Sequence, residues 1–187
     1  IYRGYIKVMF KKVCIIGCGL IGSSIARAIK KNKLANKVVS SNRSNATNKK
    51  VIKLNIVDEA SSDTKKIAKG SDLIIIATPL SSYKNIVLKI KSSLKNGAIL
   101  TDVGSVKKNV ISLIEKNIPK NISWISSHPI AGTEESGPES GFSELFKNRW
   151  CILTPSKQSK DQDVKLLEKF WKKIGSRVDI MDAKQHD

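Results

Sequence analysis

Three glycines are regularly spaced where the first apolar run of the chain passes into a helical pattern. Residues 17–22 read Gly-Cys-Gly-Leu-Ile-Gly, which is Gly-x-Gly-x-x-Gly. In that motif the first glycine permits a tight turn, the second lets a pyrophosphate approach the backbone, and the third lets a helix pack closely on a strand. The free amides of the helix start bind anions. We expect a dinucleotide here, with a purely structural turn as the alternative; the expected contacts are Gly17, Gly19, Leu20, Ile21 and Gly22.

The stretch that would select the dinucleotide lacks the usual acid. About 20 residues after such a turn, an Asp or Glu normally binds the ribose 2′-hydroxyl of NAD. Residues 40–44 read Ser-Ser-Asn-Arg-Ser instead. Asn42 would not repel a 2′-phosphate, and Arg43 with Ser44 could bind one through charge-assisted hydrogen bonds. The sequence therefore favours NADP over NAD, although Arg43 could also stack on the adenine or be a solvated surface charge.

Two later apolar runs end in polar residues. One run leads into Thr78 and Pro79, and the next leads into Asp102, with Ser105 shortly after it. Because the carboxyl ends of parallel strands open into the ligand crevice, we expect Thr78, Pro79 and Asp102 to contact the cofactor. Ser105 is expected in the same site. The alternatives are structural: Pro79 could be the first residue of a helix, and Asp102 and Ser105 could be helix N-caps.

Of the two histidines, His128 follows an apolar run and precedes a glycine-containing irregular segment. A histidine at the end of a strand in such a sheet faces the place where a cofactor ring would bind, and its near-neutral pKa suits a general base. His186 lies in a short helical pattern close to residue 187, where we expect a solvated surface side chain.

Apolar runs of strand length alternate with helical patterns along the whole chain. This order predicts an α/β fold of the Rossmann type, a doubly wound and mostly parallel sheet with helices on both faces. The predicted strands cover residues 13–16, 38–41, 73–77, 98–101, 124–127, 151–154 and 177–180. The predicted helices cover residues 20–31, 46–54, 82–94, 106–116 and 161–174.

Composition excludes several classes of protein. The chain has 187 residues, of which 40% are hydrophobic, so it can bury an ordinary core and is not a disordered protein. No apolar run approaches the length of a membrane span, and we expect no membrane partner. The net charge of +18 invites a nucleic-acid interpretation, but the lysines are spread singly or in pairs, so we expect no specific nucleic-acid partner.

The cysteines and the two ends of the sequence carry further expectations. Three cysteines without a Cys-x-x-Cys pair suggest neither a disulfide framework nor a metal site, which fits a reducing, cytoplasmic compartment. The first methionine is residue 9, so residues 1–8 are predicted to be a non-native leader. Residues 9–181 would form one NAD(P)-binding Rossmann domain that carries the catalytic histidine. Asp182 has the character of an N-cap, and residues 182–187 are predicted to begin a further, C-terminal helical domain.

Four segments together resemble a known enzyme family. They are the glycine turn at 17–24, Thr-Asp-Val-Gly-Ser-Val-Lys at 101–107, His-Pro-Ile-Ala-Gly-Thr-Glu at 128–134, and the runs 144–146 and 150–155. In this order and spacing the chain resembles the prephenate/arogenate dehydrogenases of tyrosine biosynthesis from Met9 to Asp187.

The resemblance implies an NAD(P)-dependent oxidative decarboxylation, which yields 4-hydroxyphenylpyruvate from prephenate or tyrosine from arogenate. His128 would accept the proton of the substrate hydroxyl, and Ser105 would hydrogen-bond the same centre and orient the pair. Gly132 and Thr133 would help to shape the substrate pocket. The family usually continues into a helical domain that forms a homodimer and completes the substrate site, so we expect the chain alone to bind cofactor with little turnover.

Two rival functions remain open at the level of sequence. The first is another Rossmann dehydrogenase or reductase, acting on a β-hydroxy acid or a cyclic imine, in which the His128 segment would not serve as proton acceptor. The second is a non-enzymatic NADP-sensing module, which would tolerate loss of His128 but not of the glycine turn.

Overall fold

The computed structural model describes residues 8–187, so the predicted leader lies, apart from residue 8, outside the described residues. The strands are β1 (Phe10–Ile16), β2 (Ala35–Ser41), β3 (Glu59–Ser61), β4 (Leu73–Ile76), β5 (Ile99–Asp102), β6 (Ser123–Pro129), β7 (Trp150–Pro155) and β8 (Arg177–Ile180). The helices are α1 (Leu20–Lys31), α2 (Asn45–Lys53), α3 (Thr64–Ala68), α4 (Tyr83–Ile90), α5 (Lys108–Glu115), α6 (Asp161–Lys173) and α7 (Ala183–His186).

The eight strands form one sheet in the order β3-β2-β1-β4-β5-β6-β7-β8. Every neighbouring pair is parallel except β6 and β7, which run antiparallel. The chain builds outward from β1 to β3 and then crosses back to place β4 on the other side of β1. The carboxyl ends of β1, β2 and β4 therefore meet where the winding reverses, which is the binding position of doubly wound sheets. The predicted fold class is confirmed.

Alternation along the strands divides the core into two layers. On β1, Ile15 faces the layer that contains Ile25 of α1 together with α2 and α6. Its neighbour Ile16 faces the opposite layer, with Val87 of α4 together with α3 and α5. Helices thus cover both faces, and the central strands are apolar on both sides because neither side meets water.

The structure differs from the sequence prediction at short and terminal elements. Strand β3 and helix α3 were not predicted, since three and five residues are too few for a periodic pattern. Helix α4 ends at Ile90 instead of Leu94, because a 3-10 turn over Lys91–Ser93 replaces its last turn. Between residues 8 and 187, none of the helices combines the length and the apolar character needed to cross a bilayer.

Candidate active site

The glycine turn joins β1 to α1 and leaves open backbone at its centre. Gly17 has φ +95, and a Cβ on it would lie 2.7 Å from Thr78 Cγ2. A Cβ on Gly22 would lie 2.0 Å from the carbonyl oxygen of Gly17, so these two positions exclude any side chain. A Cβ on Gly19, by contrast, would meet nothing within 4 Å. The first and third glycines are therefore required by packing, whereas the second leaves space beside the start of α1.

A cleft of about 680 Å³ opens over this turn, in the size range of small-molecule sites. It lies at the carboxyl ends of β1, β2 and β4, where the sheet topology places a ligand. Its lining includes the predicted residues Gly17, Gly19, Asn42, Arg43, Ser44, Thr78 and Pro79. It also includes Thr47, Ser62, Thr64, Asn85 and Lys89, which the sequence did not single out. Thr64 belongs to the unpredicted helix α3, and Lys89 lies on a helix face with no motif to mark it.

The Asn42 side chain holds the glycine turn in place. Its Oδ1 accepts a hydrogen bond from the backbone N–H of Cys18 at 2.7 Å, inside the glycine turn. Its Nδ2 donates to Asn48 Oδ1 at 2.9 Å and to Ser40 Oγ at 3.1 Å. The amide group is buried and its donors and acceptor are occupied. Asn42 thus fixes the turn to β2 and α2, and it also lines the cleft, so its expected contact with the cofactor stays a prediction.

The next two residues stand at the mouth of the cleft. Ser44 is the N-cap of α2, because its Oγ accepts from the backbone N–H of Ala46 at 3.1 Å and of Thr47 at 3.4 Å. Arg43 is exposed and lines the cleft, so its guanidinium is the cation next to the end of β2. Both side chains can reach a phosphate on the ribose, because Arg43 carries a charge and the Ser44 hydroxyl proton is not used by the N-cap contacts.

Thr78 and Pro79 line the cleft at the end of β4, as predicted. Thr78 Oγ1 and Ser82 Oγ are 2.7 Å apart, and Ser82 Oγ donates to the carbonyl oxygen of Pro79 at 2.7 Å. Pro79 precedes the 3-10 turn Leu80–Ser82 as its N-cap, so it is not the first residue of a helix. These contacts make a rigid wall opposite Arg43.

Asp102 lies away from the cleft. Its side chain is 0% exposed and accepts from Ser126 Oγ at 2.5 Å and from the backbone N–H of Ser127 at 3.1 Å. It also accepts from Tyr83 Oη at 3.1 Å and from the backbone N–H of Gly104 at 3.0 Å. The expected cofactor contact is therefore wrong, and so is the N-cap alternative, because Lys107 occupies the N-cap position of α5.

The partner of Asp102 is Lys107, which the sequence analysis did not identify as functional. Lys107 is also 0% exposed, and its Nζ lies 3.3 Å from both carboxylate oxygens of Asp102. Nζ further donates to Ser126 Oγ at 2.8 Å and to the carbonyl oxygen of Ser127 at 2.7 Å. Burial lowers the pKa of Lys107, and the nearby Asp102 carboxylate opposes that shift. The one sequence signal for a role of Lys107 was its position at the end of the segment 101–107.

His128 is half-buried near the end of β6, directly after Ser127. Burial lowers its pKa below the ordinary 6.5, with further lowering by the Lys107 cation and by His186, while Asp102 opposes the change. The imidazole is therefore neutral at pH 7 and able to accept a proton.

His186 is not the solvated surface residue that the sequence suggested. Its side chain is 6% exposed, and its Nε2 lies 2.9 Å from Nδ1 of His128. Helix α7 carries His186 to this position, and Asp182 caps that helix as predicted, with a capping box that includes Gln185. The spacing from residue 128 gave no sign of this contact, because it depends on how α7 packs.

Ser105, Gly132 and Thr133 lie on exposed loops that follow β5 and β6. Within residues 8–187, Ser105 makes no hydrogen bond to His128, whose Nδ1 contacts His186 instead. Thr133 Oγ1 accepts from the backbone N–H of Glu135 at 3.2 Å. None of the three lines the 680 Å³ cleft, so their expected contact with substrate stays a prediction.

The loop after β6 connects the histidine to the cleft. It returns over α1, where Arg27 Nη2 donates to the carbonyl oxygen of Pro138 at 3.3 Å. The backbone N–H of Phe142 donates to Ser24 Oγ at 3.0 Å, and a Cβ on Gly141 would lie 2.1 Å from Ser23 Oγ. Pro138 itself lines the cleft. The segment that carries His128 is thereby anchored on the helix that begins at the glycine turn.

The cysteines and acidic residues suggest no second chemistry. Burial raises the pKa of Cys14 to about 12 and of Cys18 to about 11, so neither is a thiolate at neutral pH. The described part of the chain contains no group of three or more His, Cys, Asp or Glu side chains arranged to hold a metal ion.

Comparison with known proteins gives one consistent family. The family described as "Prephenate dehydrogenase, nucleotide-binding domain" matches residues 25–180. The cyclohexadienyl dehydrogenase of Zymomonas mobilis is 36% identical over 179 residues, which is 96% of this chain and 61% of the relative.

Two solved structures agree in fold over nearly the whole chain. Prephenate dehydrogenase from A. aeolicus, solved with hydroxyphenyl propionate and NAD+, superimposes with a TM-score of 0.86 and 28% identity over 94% of this chain and 61% of that one. Synechocystis arogenate dehydrogenase gives a TM-score of 0.87 and 26% identity, with the same coverage of 94% and 61%. The chain thus spans about three fifths of each of these relatives.

The buried ion pair generates a stability prediction. Asp102→Asn leaves the Lys107 ammonium buried without its counter-charge, and we expect the free energy of unfolding to fall by about 3–5 kcal/mol. Urea unfolding of the 187-residue chain measures this change. Lys108→Met, at the exposed neighbouring position, serves as the control and should stay within about 0.5 kcal/mol of the parent. A loss below about 1 kcal/mol for Asp102→Asn would show that the pair does not hold the strand ends together.

Proposed function

The chain belongs to the prephenate dehydrogenase family as its nucleotide-binding domain, and from that premise we propose that it binds NADP or NAD and carries the proton acceptor of an oxidative decarboxylation. Its relatives are dehydrogenases, which supports an oxidoreductase. The substrate proposed for the whole protein is prephenate or arogenate. The observation that carries the proposal is that half-buried His128 lies near the end of β6, and the loop that follows this strand is anchored on α1 beside the cleft with the glycine turn.

Three features of the cleft support the binding of a dinucleotide. The open backbone at Gly19 leaves space for a pyrophosphate beside the amides of α1, whose first turn contains no acidic side chain. Arg43 supplies a cation at the mouth, where an acid would stand in a site selective for NAD. Thr78 and Pro79 form the wall on the opposite side. Bound there, the nicotinamide supplies a hydride acceptor.

His128 would act on the substrate hydroxyl. As the carbon that bears this hydroxyl loses hydride, the oxygen becomes acidic, and the neutral imidazole accepts its proton. Loss of the ring carboxylate as carbon dioxide then leaves its bonding electrons in the ring, which becomes aromatic, and the imidazolium returns the proton to the ring oxygen. Proton and charge balance without a further acid or base. The lowered pKa of His128 keeps the acceptor form populated at neutral pH.

The remaining substrate contacts would come from outside the cleft described here. Gly132 and Thr133 lie on the loop after β6, and Ser105 lies on the loop after β5, so all three stand at the same edge of the sheet as His128. Because relatives are longer than this chain, we propose that a further domain completes the substrate site and forms a homodimer. The 187-residue chain would then bind cofactor and turn over slowly.

Gly19→Ala tests whether the glycine turn binds a dinucleotide. The added methyl group meets no protein atom within 4 Å, so the free energy of unfolding should stay within about 0.5 kcal/mol. It does occupy the space proposed for the pyrophosphate, and the Kd for NADP+ measured by calorimetry should rise by about tenfold or more, which corresponds to about 1.4 kcal/mol. Unchanged affinity in a folded variant would contradict binding at this turn.

Arg43→Ala tests which dinucleotide is preferred. Loss of a charge-assisted hydrogen bond to a 2′-phosphate should weaken NADP+ binding about tenfold and leave NAD+ binding within about twofold. The control is Arg177→Ala, an exposed arginine on the edge strand β8. An equal loss for both dinucleotides would indicate stacking on the adenine. No loss for either would mean that Arg43 is only a surface charge.

His128→Asn tests the reaction in the complete protein that contains these residues. Without the imidazole base, kcat should fall by about 10²-fold or more, while the Kd for the cofactor changes little. Nicotinamide reduction is followed with prephenate and with arogenate, each offered NAD+ and NADP+. Near-normal turnover of the variant would overturn the role of His128. Absence of turnover by the parent protein with both substrates, despite cofactor binding, would overturn the proposed reaction.

A further inference from the structure

Three side chains form a continuous hydrogen-bonded chain that ends on the proposed base. Asp187 Oδ1 lies 2.8 Å from His186 Nδ1, and His186 Nε2 lies 2.9 Å from His128 Nδ1. The two rings are tilted by 56° with centroids 5.1 Å apart, so they meet through ring nitrogens rather than by stacking. This arrangement uses Nδ1 of His128 and leaves Nε2 available.

The far end of this chain is anchored on helix α5. Asp187 accepts from the backbone N–H of Lys107 at 3.1 Å and from that of Lys108 at 2.9 Å. Asp182 fixes the helix that carries His186, because its Oδ1 accepts from the backbone N–H of Lys184 at 2.9 Å and of Gln185 at 2.8 Å. The start of helix α5 therefore positions both the buried ammonium of Lys107 and the carboxylate of Asp187.

The proton arrangement follows from the carboxylate. Asp187 receives two backbone N–H groups, and these donors together with His186 lower its pKa, so it is ionised and can only accept. His186 Nδ1 must then carry the proton, which leaves its Nε2 as an acceptor in the neutral ring. His128 Nδ1 consequently donates, and its own Nε2 carries a free lone pair.

We propose that Asp187 and His186 are positioning residues that hold His128 in the tautomer whose unprotonated Nε2 takes the proton of the substrate hydroxyl. The inference rests on the proposed function of His128, and it assigns a role to two residues at the end of the chain. The same logic makes the carboxylate of a catalytic triad select the tautomer of its histidine. Without this Asp187–His186 relay, a neutral imidazole in contact with water exchanges between its two tautomers. Part of the His128 population would then have the wrong ring nitrogen protonated.

The tautomer can be measured without turnover. The sequence contains 2 histidines, so long-range ¹H–¹⁵N spectra of the labelled 187-residue chain show two imidazoles. At about pH 8.5 the His128 ring is neutral, because its pKa lies below the ordinary 6.5. We expect the parent chain to show His128 protonated on Nδ1. The variant His186→Gln leaves a single histidine and assigns the spectrum.

Two substitutions at one position separate positioning from folding. His186→Gln keeps an acceptor, because the Gln amide can donate to Asp187 and accept from His128, so His128 should stay protonated on Nδ1. His186→Leu removes the acceptor, and the His128 signals should shift toward a mixture of tautomers. A His128 ring protonated on Nε2 in the parent, or a ring unchanged in His186→Leu, would overturn the inference.

Kinetics of the complete protein supply the second readout. His186→Leu should lower kcat about tenfold with the Kd for the cofactor unchanged, and His186→Gln should restore most of it. If the parent protein turns over neither substrate while the spectra show the expected tautomers, the proposed function fails and the relay stands. If turnover is normal and His186→Leu retains it, the relay fails and the proposed function stands.

Discussion

The buried ion pair between Asp102 and Lys107 is the constraint on which the rest of the site depends. Two charges at 0% exposure are costly to desolvate, and they persist only where geometry and hydrogen bonds compensate. Those hydrogen bonds come from Ser126 and Ser127 on β6 and from Tyr83 on α4. The pair thus ties the carboxyl ends of β5 and β6 together directly before His128. Burial lowers the pKa of that histidine and the Lys107 cation lowers it further, so the ion pair contributes to both the position and the protonation state of His128.

Charge is divided between two regions of the same sheet edge. The negative charge of Asp102 is enclosed in the core, whereas the cleft over the glycine turn has exposed cations at Arg43 and Lys89. A dinucleotide phosphate therefore approaches amides and cations without meeting a carboxylate at the end of β2. The neutral residue Asn42 follows β2 directly and holds the glycine turn, because its side chain accepts a hydrogen bond from the backbone N–H of Cys18. The loop after β6 then joins the two regions, because it follows the strand that ends with His128 and Pro129 and it packs on α1.

Sequence predicted the features that local pattern determines. The Gly17–Gly22 spacing, the alternation of strands and helices, and a histidine at the end of an apolar run can all be read from the sequence, because turn geometry and periodicity are local properties. The errors concern residues whose role depends on partners distant in the chain. Asp102 was assigned to the cofactor, since its burial cannot be read from spacing, and the hydrogen bond between Asn42 and Cys18 could not be read from spacing either. His186 is the clearest case, because its contact with His128 joins residues 58 positions apart.

We infer that the fold presents His128 as a neutral base close to a buried cation. Titration of His128 in the 187-residue chain, followed by NMR through the imidazole resonances, tests this inference. We expect a midpoint below the ordinary value of 6.5, because burial and the Lys107 cation both disfavour the imidazolium. A midpoint at or above 6.5 would contradict this inference, because His128 would then be solvated or paired with an anion.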